Sequence, residues 1–385
     1  MPRVRGPRRT KGTDRVDPAA TPGIEEHDIA EVHLVARGIA TAVAPESGLT
    51  DVQADLLEAI ASALTGIDVD YRSCEPLAAE ELAAVIGDRD LDYRQRIVHH
   101  MVLGELVLRP IPTVVAHRVA KYADALGVKD DFVRVARRYA QGAYGLAWKD
   151  LSRNGFVEHV QAGGGGEINQ GPGQAGRAAP APFDPAEVDP ELAATWRGFA
   201  ELPPDTLGFR AWDMYDGRGF ELPGAPGGAP RYLAQHDFVH VLADYGTNLK
   251  GELEVFSFIG RADPDPKGFA WLATLTGLFE TGYIPTTGFF DRDVRERVIQ
   301  VPGMHRRVAD AIRRGKLVCQ HNNLDLFEVD YYARAAQPVE EIREDLAIPP
   351  KGEGAIDAGS VGLDDLEGMS EIQRQVVAQR RGGSQ

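Results

Sequence analysis

The sequence predicts an all-α protein, with two helical domains joined by a Gly/Pro-rich linker and a disordered tail at each end. Three observations carry that expectation. Apolar residues recur three and four apart, as in Leu56, Ile60 and Leu64 or in Phe132, Val135, Ala136 and Tyr139, which places them on one face of a helix. The period-two alternation of a half-buried strand is scarce. Between about residues 161 and 182 the chain turns to Gly, Pro, Ala and Gln, a composition that buries little apolar surface and behaves as a tether.

Taken in order, residues 1–24 form a basic tail in which Arg3, Arg5, Arg8, Arg9, Lys11 and Arg15 are scarcely offset by Asp14, a run expected to be solvated. Residues 25–155 read as a helical bundle. Gly66 ends one helix, Pro110-Ile-Pro112 separates two more, and Gly127 precedes a start near Lys129-Asp130-Asp131. The linker covers 156–188. Within it Gly171-Pro-Gly173-Gln-Ala-Gly176 matches GxGxxG, but no strand precedes it and no helix follows, so no dinucleotide site is expected. The second domain, 189–350, opens at Asp189-Pro190, an N-cap followed by proline at the first helical position, after which Leu192, Trp196 and Phe199 share a face. Further helices are expected over 230–245, 249–261, 268–281, 291–316 with a break at Pro302-Gly303, and 338–346. Residues 351–385 are Gly-rich and charged and are expected to be a disordered tail, with a short helix near Glu371.

Composition narrows the function classes. A chain of 385 residues exceeds what one helical core usually fills, and its formal net charge of -16 would repel nucleic acid, which is not expected as a partner. The cysteines, Cys74 and Cys319, lie far apart with no CxxC, which suits a reducing cytosol and excludes a cysteine-rich zinc module. No apolar run reaches the roughly 20 residues that span a bilayer, and no apolar segment follows the basic start to make a secretion signal. A transit peptide would be rich in serine, and the first serine is Ser47. The expectation is a soluble, cytoplasmic protein.

The strongest chemical signal is His236-Asp237-Phe-Val-His240 followed by Glu252. At about 3.6 residues per turn His236 and His240 are neighbours on one helix face, and Asp237 lies roughly 100° around from His236. On a straight helix Glu252 would sit roughly 18 Å farther along the axis, too far to share an ion, so the chain must turn back. Tyr245-Gly246-Thr247-Asn248 supplies the turn: Gly246 suits a left-handed helix end, and Thr247 or Asn248 suits a cap. Asp244, four residues after His240, is placed to accept the proton on that imidazole's other nitrogen. Two imidazoles and two carboxylates suit Zn2+, Fe2+ or Mn2+.

These residues resemble a known family. His236-Asp237-Phe-Val-His240, eleven residues ending in Gly251, then Glu252, is similar to the HDxxH-x11-E signature of the fourth Coq protein of ubiquinone (coenzyme Q) biosynthesis, and Tyr245-Gly246-Thr247 matches that family's YGT. The resemblance covers about 190 to 350, from Leu202-Pro-Pro-Asp205-Thr-Leu-Gly208 to Pro338-Val-Glu-Glu-Ile-Arg343-Glu-Asp-Leu346. It implies zinc held by His236, Asp237, His240 and Glu252, peripheral membrane association and a site for a prenyl lipid or quinone precursor. It also implies removal of the ring carboxylate, with hydroxylation at that carbon, from a polyprenylated hydroxybenzoate. That would be a lyase activity. An alternative role is a noncatalytic lipid-binding scaffold for other quinone-biosynthesis enzymes. The large helical segment before the resembling region and the long tails depart from the family pattern. The run from Leu49 to Leu151 faintly resembles a TerB-like (tellurite resistance) domain.

Apolar residues cluster after Glu252, and Phe256, Trp271 and Leu275 are the candidates for lining an isoprenoid channel, with an ordinary helical core as the competing explanation. Asp88-x-Asp90-x-Asp92 opens like a calcium loop but has Tyr93 and His99 where Gly and Glu are needed. His99, His100, Glu105 and His117 form a second metal-ligand candidate. His236-Asp237 also matches the central dyad of HD-type phosphohydrolases, which need another histidine from an earlier helix. HDxxH lacks the glutamate base of HExxH proteases, and no GxSxG occurs.

Overall fold

A computed structural model of the protein describes residues 28–130, 133–134, 136–137, 188–231, 233–269, 272–273, 276 and 297–382. Among the described residues the regular elements are helices, with a single isolated antiparallel bridge between Thr206 and Pro338. The all-α expectation holds. The basic tail at 1–24 and nearly all of the 156–188 linker lie outside the described residues.

Local chemistry sets the helices of the first half. Helix α1 (Ile29–Val43) starts where the Asp28 carboxylate accepts the Ala30 N–H. Helix α2 (Asp51–Thr65) begins with a reciprocal Thr50–Gln53 capping box and ends, as the sequence predicts, at Gly66, which takes the left-handed conformation. Helices α3 (Ala79–Ile86), α4 (Leu91–Leu106) and α5 (Thr113–Ala125) follow, the last two separated at Pro110–Pro112. Gln53, fully buried, donates from Nε2 to the carbonyls of Val43 (2.8 Å) and Gly104 (2.9 Å), tying the end of α1 to α4 with its polar groups satisfied.

The second half contains α6 (Pro190–Gly198), α7 (Leu207–Arg218), α8 (Ala234–Ala243), α9 (Leu249–Ala262), α10 (Met304–Asn322) and α11 (Val339–Asp345). The expected break at Pro302-Gly303 is the start of α10, with Gly303 in the left-handed region, and the helix runs on past Lys316 to Asn322. Of the expected 268–281 helix only 268–269, 272–273 and 276 are described: Gly268 closes a 3-10 turn (Pro266–Gly268) and the others are helical.

Helices α9 and α10 form the wall between two apolar cores. Leu253 on α9 and Val308 and Ile312 on α10 join the core built by α1 to α5, whereas Phe258, Ile259 and Val318 face the second core around Trp196 and Phe238. Gly315 lets the pair approach: a Cβ there would stand 2.3 Å from the Phe258 carbonyl oxygen. The wall also carries a buried bidentate ion pair, Arg307 with Glu254, at 2.6 and 3.1 Å. The halves on either side of the linker therefore meet directly. Lys316 Nζ donates to the Leu64 carbonyl at 3.1 Å and Arg96 to the Pro264 carbonyl at 2.8 Å.

The C-terminal stretch corrects the sequence expectation. Residues 351–382, expected as a disordered tail, carry α12 (Glu353–Asp357) and α13 (Glu371–Gly382), of which only the helix near Glu371 was foreseen. Sparse apolar content hid the order because it rests on backbone hydrogen bonds to the α8–α9 turn and on a few buried groups, Leu363, Met369 and Gln373 among them.

Candidate metal centre

Helix α8 presents His236 and His240 one turn apart, their ring centroids separated by 5.4 Å. The helix ends at Ala243, and Asp244, not the expected Gly246, takes the left-handed conformation with φ 59°. Gly246 serves another purpose, since a Cβ on it would stand 2.6 Å from Gly368 Cα. Asn248 caps α9 through its side-chain oxygen, which accepts from Lys250 and Gly251 N–H groups at 3.1 and 3.0 Å. Glu252 thus rises in the first turn of a returning helix, as the spacing predicts.

The side chains converge. His240 Nε2 lies 3.3 Å and His236 Nε2 3.7 Å from the two Glu252 carboxylate oxygens, and one ligand atom from each of these three residues lies within 4.8 Å of the others. Four ligands at tetrahedral angles with bonds of about 2.05 Å stand roughly 3.3 Å apart, so the spacing suits one shared ion. Both imidazoles are oriented through Nδ1, which faces the Leu233 carbonyl in His236 and the Tyr245 carbonyl at 3.3 Å in His240. A carbonyl only accepts, so Nδ1 carries a proton in each ring and Nε2 is the nitrogen turned toward the Glu252 carboxylate. His240 Nε2 is buried, and among the described residues its near polar neighbour is Glu252 at 3.3 Å. These donors fit a divalent ion.

Asp237 flanks the trio rather than joining it. Its Oδ1 lies 3.6 Å from His236 Nε2, while Oδ2 accepts the Tyr215 hydroxyl at 2.6 Å, a contact that draws the carboxylate toward α7. The four-ligand expectation becomes three converging ligands with Asp237 beside them. Asp244 is not the orienting partner of His240. The left-handed turn carries its carboxylate away, where Oδ1 accepts the Leu363 N–H at 2.9 Å and Oδ2 meets Lys351 at 3.7 Å. The Tyr245 carbonyl does the orienting instead.

Burial and mutual charge set the protonation. Burial penalises the His240 imidazolium, but the Glu252 and Asp237 carboxylates outweigh it and hold the pKa above the ordinary histidine value. Burial would raise Glu252, yet His240 and His236 bring it below the usual carboxylate range. Asp237 is raised by burial, only partly offset by the histidines and by Tyr215.

Phe256, a candidate lipid contact, is buried and stacks on the His236 ring at 5.1 Å. Trp271 and Leu275 lie outside the described residues. His99 is held in the first core by Asp130 at 2.6 Å and by stacking on Phe269, and His117 is exposed. Among the described residues the trio on α8 and α9 is the one metal-ligand group, so the second candidate set is not brought together. Sequence reading missed Tyr215, whose place beside Asp237 depends on how α7 packs against α8 and left no spacing to detect. No helix among the described residues is long and apolar enough to cross a membrane. Comparison of the chain with family models, curated proteins and solved structures finds no match.

Proposed function

We propose that the protein is a mononuclear metal-dependent protein of quinone or prenyl-lipid metabolism, with His236, His240 and Glu252 holding a divalent ion, zinc by preference over Fe2+ or Mn2+. The observation that carries the metal part is the convergence of His236 Nε2, the buried His240 Nε2 and the Glu252 carboxylate, with Nδ1 of each ring turned away to a backbone carbonyl. The substrate class follows the resemblance of the motif: a polyprenylated hydroxybenzoate that loses its ring carboxylate as CO2 and gains a hydroxyl at that carbon, a net two-electron oxidation for which dioxygen is the oxidant, leaving as H2O2. When bound, the ion supplies Lewis acidity toward a phenolate or carboxylate oxygen. The chain's own groups orient and seclude. Tyr215 fixes Asp237, Phe256 covers one face of His236, and burial raises the strength of each charge interaction at the centre.

The test is to load the purified protein with Zn2+, Fe2+ or Mn2+ in turn and add the polyprenylated hydroxybenzoate in air. Mass spectrometry then follows loss of the carboxylate. Turnover by a loaded form, absent in His240→Ala, is expected. No turnover with any of the three ions would withdraw the lyase reading.

A second reading, a noncatalytic lipid-binding scaffold acting with quinone-biosynthesis enzymes at the membrane periphery, follows from the same resemblance; Phe256, packed in the second core, fits the ordinary helical-core explanation and lends that reading no support. It expects co-purified prenyl lipid without turnover. The HD-type phosphohydrolase loses support because His99 is committed to Asp130 and, among the described residues, no third histidine joins the trio.

A further inference from the structure

The turn between α8 and α9 decides where Glu252 stands relative to the two imidazoles, and little of that turn is held by itself. The Thr247 and Asn248 N–H groups both donate to the Gly368 carbonyl, at 2.7 and 2.9 Å, and Asn248 Nδ2 donates to the Glu367 carbonyl at 2.8 Å. The Gln373 side chain grips Thr247 from two sides. Its Oε1 accepts the threonine hydroxyl at 2.8 Å, and its Nε2 donates to the threonine carbonyl at 3.1 Å. Arg218, buried on α7, donates to the same hydroxyl at 2.7 Å and to the Leu363 carbonyl. Asp244, at the other end of the turn, is held by the Leu363 N–H.

These contacts are buried and specific. Gln373 is 1% exposed and Thr247 3%, so each polar group left without its partner would face a desolvation cost and draw the turn toward water. The Gly246 and Gly368 backbones touch, leaving no room for the turn to shift against the strap. Metal sites tolerate only tenths of an ångström in ligand position, so a turn that loosens separates the α8 and α9 ligands before it unfolds either helix.

We propose that residues 361–373 are the positioning element of the metal centre. Through Gly368 and Gln373 they hold the α8–α9 turn and so set the distance between the imidazole pair and Glu252. None of these residues belongs to the converging ligand trio. The inference rests on the metal reading above and adds a second layer of control: release of this C-terminal segment would weaken the ion's hold while the helices persist.

The experiment uses the full chain, stripped of metal and titrated with Co2+ and with Zn2+ against a chromophoric chelator, with thermal unfolding of the metal-free protein in parallel. Gln373→Ala is expected to weaken Zn2+ binding by about tenfold or more, the scale seen when an orienting partner of a ligand is lost, and to alter the Co2+ absorption bands. Gln373→Glu keeps the acceptor for the Thr247 hydroxyl and loses the amide donor, so it should weaken binding less. The control Gln375→Ala, exposed on the same helix, should leave affinity unchanged. Should Gln373→Ala not fold, Gly368→Ala and Gln373→Glu carry the same readouts. Unchanged Zn2+ affinity and Co2+ bands in the folded variants, whatever happens to thermal stability, would reduce the segment to a structural strap. A wild-type protein that binds neither ion would overturn the metal reading and this inference with it.

Discussion

His240 holds the balance at the centre: a neutral imidazole is needed to bind metal, yet its carboxylate neighbours favour the charged form. Its pKa in the metal-free protein stands above the ordinary histidine value, burial being outweighed by Glu252 and Asp237. Metal and proton compete for Nε2, so affinity should fall as pH drops through that raised pKa and level off above it. Zn2+ titrations across neutral and mildly acidic pH check this, and a flat profile would contradict it. Glu105 makes a separate prediction. Its carboxyl is buried in α4 with neither oxygen hydrogen-bonded among the described residues, and burial raises its pKa well above 4.5, with Arg137 opposing only in part. The folded state then keeps a proton that the unfolded state releases, so stability falls as pH rises above the unfolded value, by about 1.4 kcal/mol per pH unit until the folded pKa is reached. Glu105→Gln should remove that slope. Urea unfolding at pH 5 and pH 7 measures it, and equal slopes in the two proteins would refute it.

Among the elements, the α9–α10 wall depends on close approach at Gly315. An added Cβ at 2.3 Å from the Phe258 carbonyl forces the helices apart, so Gly315→Ala should destabilise the protein by about 1–3 kcal/mol in urea unfolding. A loss under about 0.5 kcal/mol would mean that the wall yields. Helix existence was legible in the sequence wherever caps and breakers bound an apolar stripe: Gly66, Asp189-Pro190 and Gly303 all mark real boundaries. The HDxxH pair and the returning Glu252 were legible because helical period and a turn dictate them. Asp244 as helix end and the path of its side chain were not, since a non-glycine left-handed residue depends on what meets it, here Leu363 and Lys351. The order of 351–382 was hidden for a related reason. Its contacts are mostly backbone groups docking on a distant turn, and hydrophobic patterning does not register them.

Across the whole molecule the two cores share α9 and α10, so the metal-bearing helix α9 is also a wall of the core built by the N-terminal half. That arrangement gives the first half a physical role: Leu249 and Leu253 on α9 pack into its core on either side of Glu252 in sequence. The C-terminal segment braces the same helix at its start. The centre is therefore framed by three distant parts of the chain, while its ligands come from one short helix–turn–helix. The most direct measurement of the central claim is metal content by mass spectrometry on purified wild type and His240→Ala after metal repletion, with folding checked by circular dichroism. Near-stoichiometric divalent metal in the wild type and its loss from a folded His240→Ala is the predicted result. A folded wild type with no bound metal would contradict it.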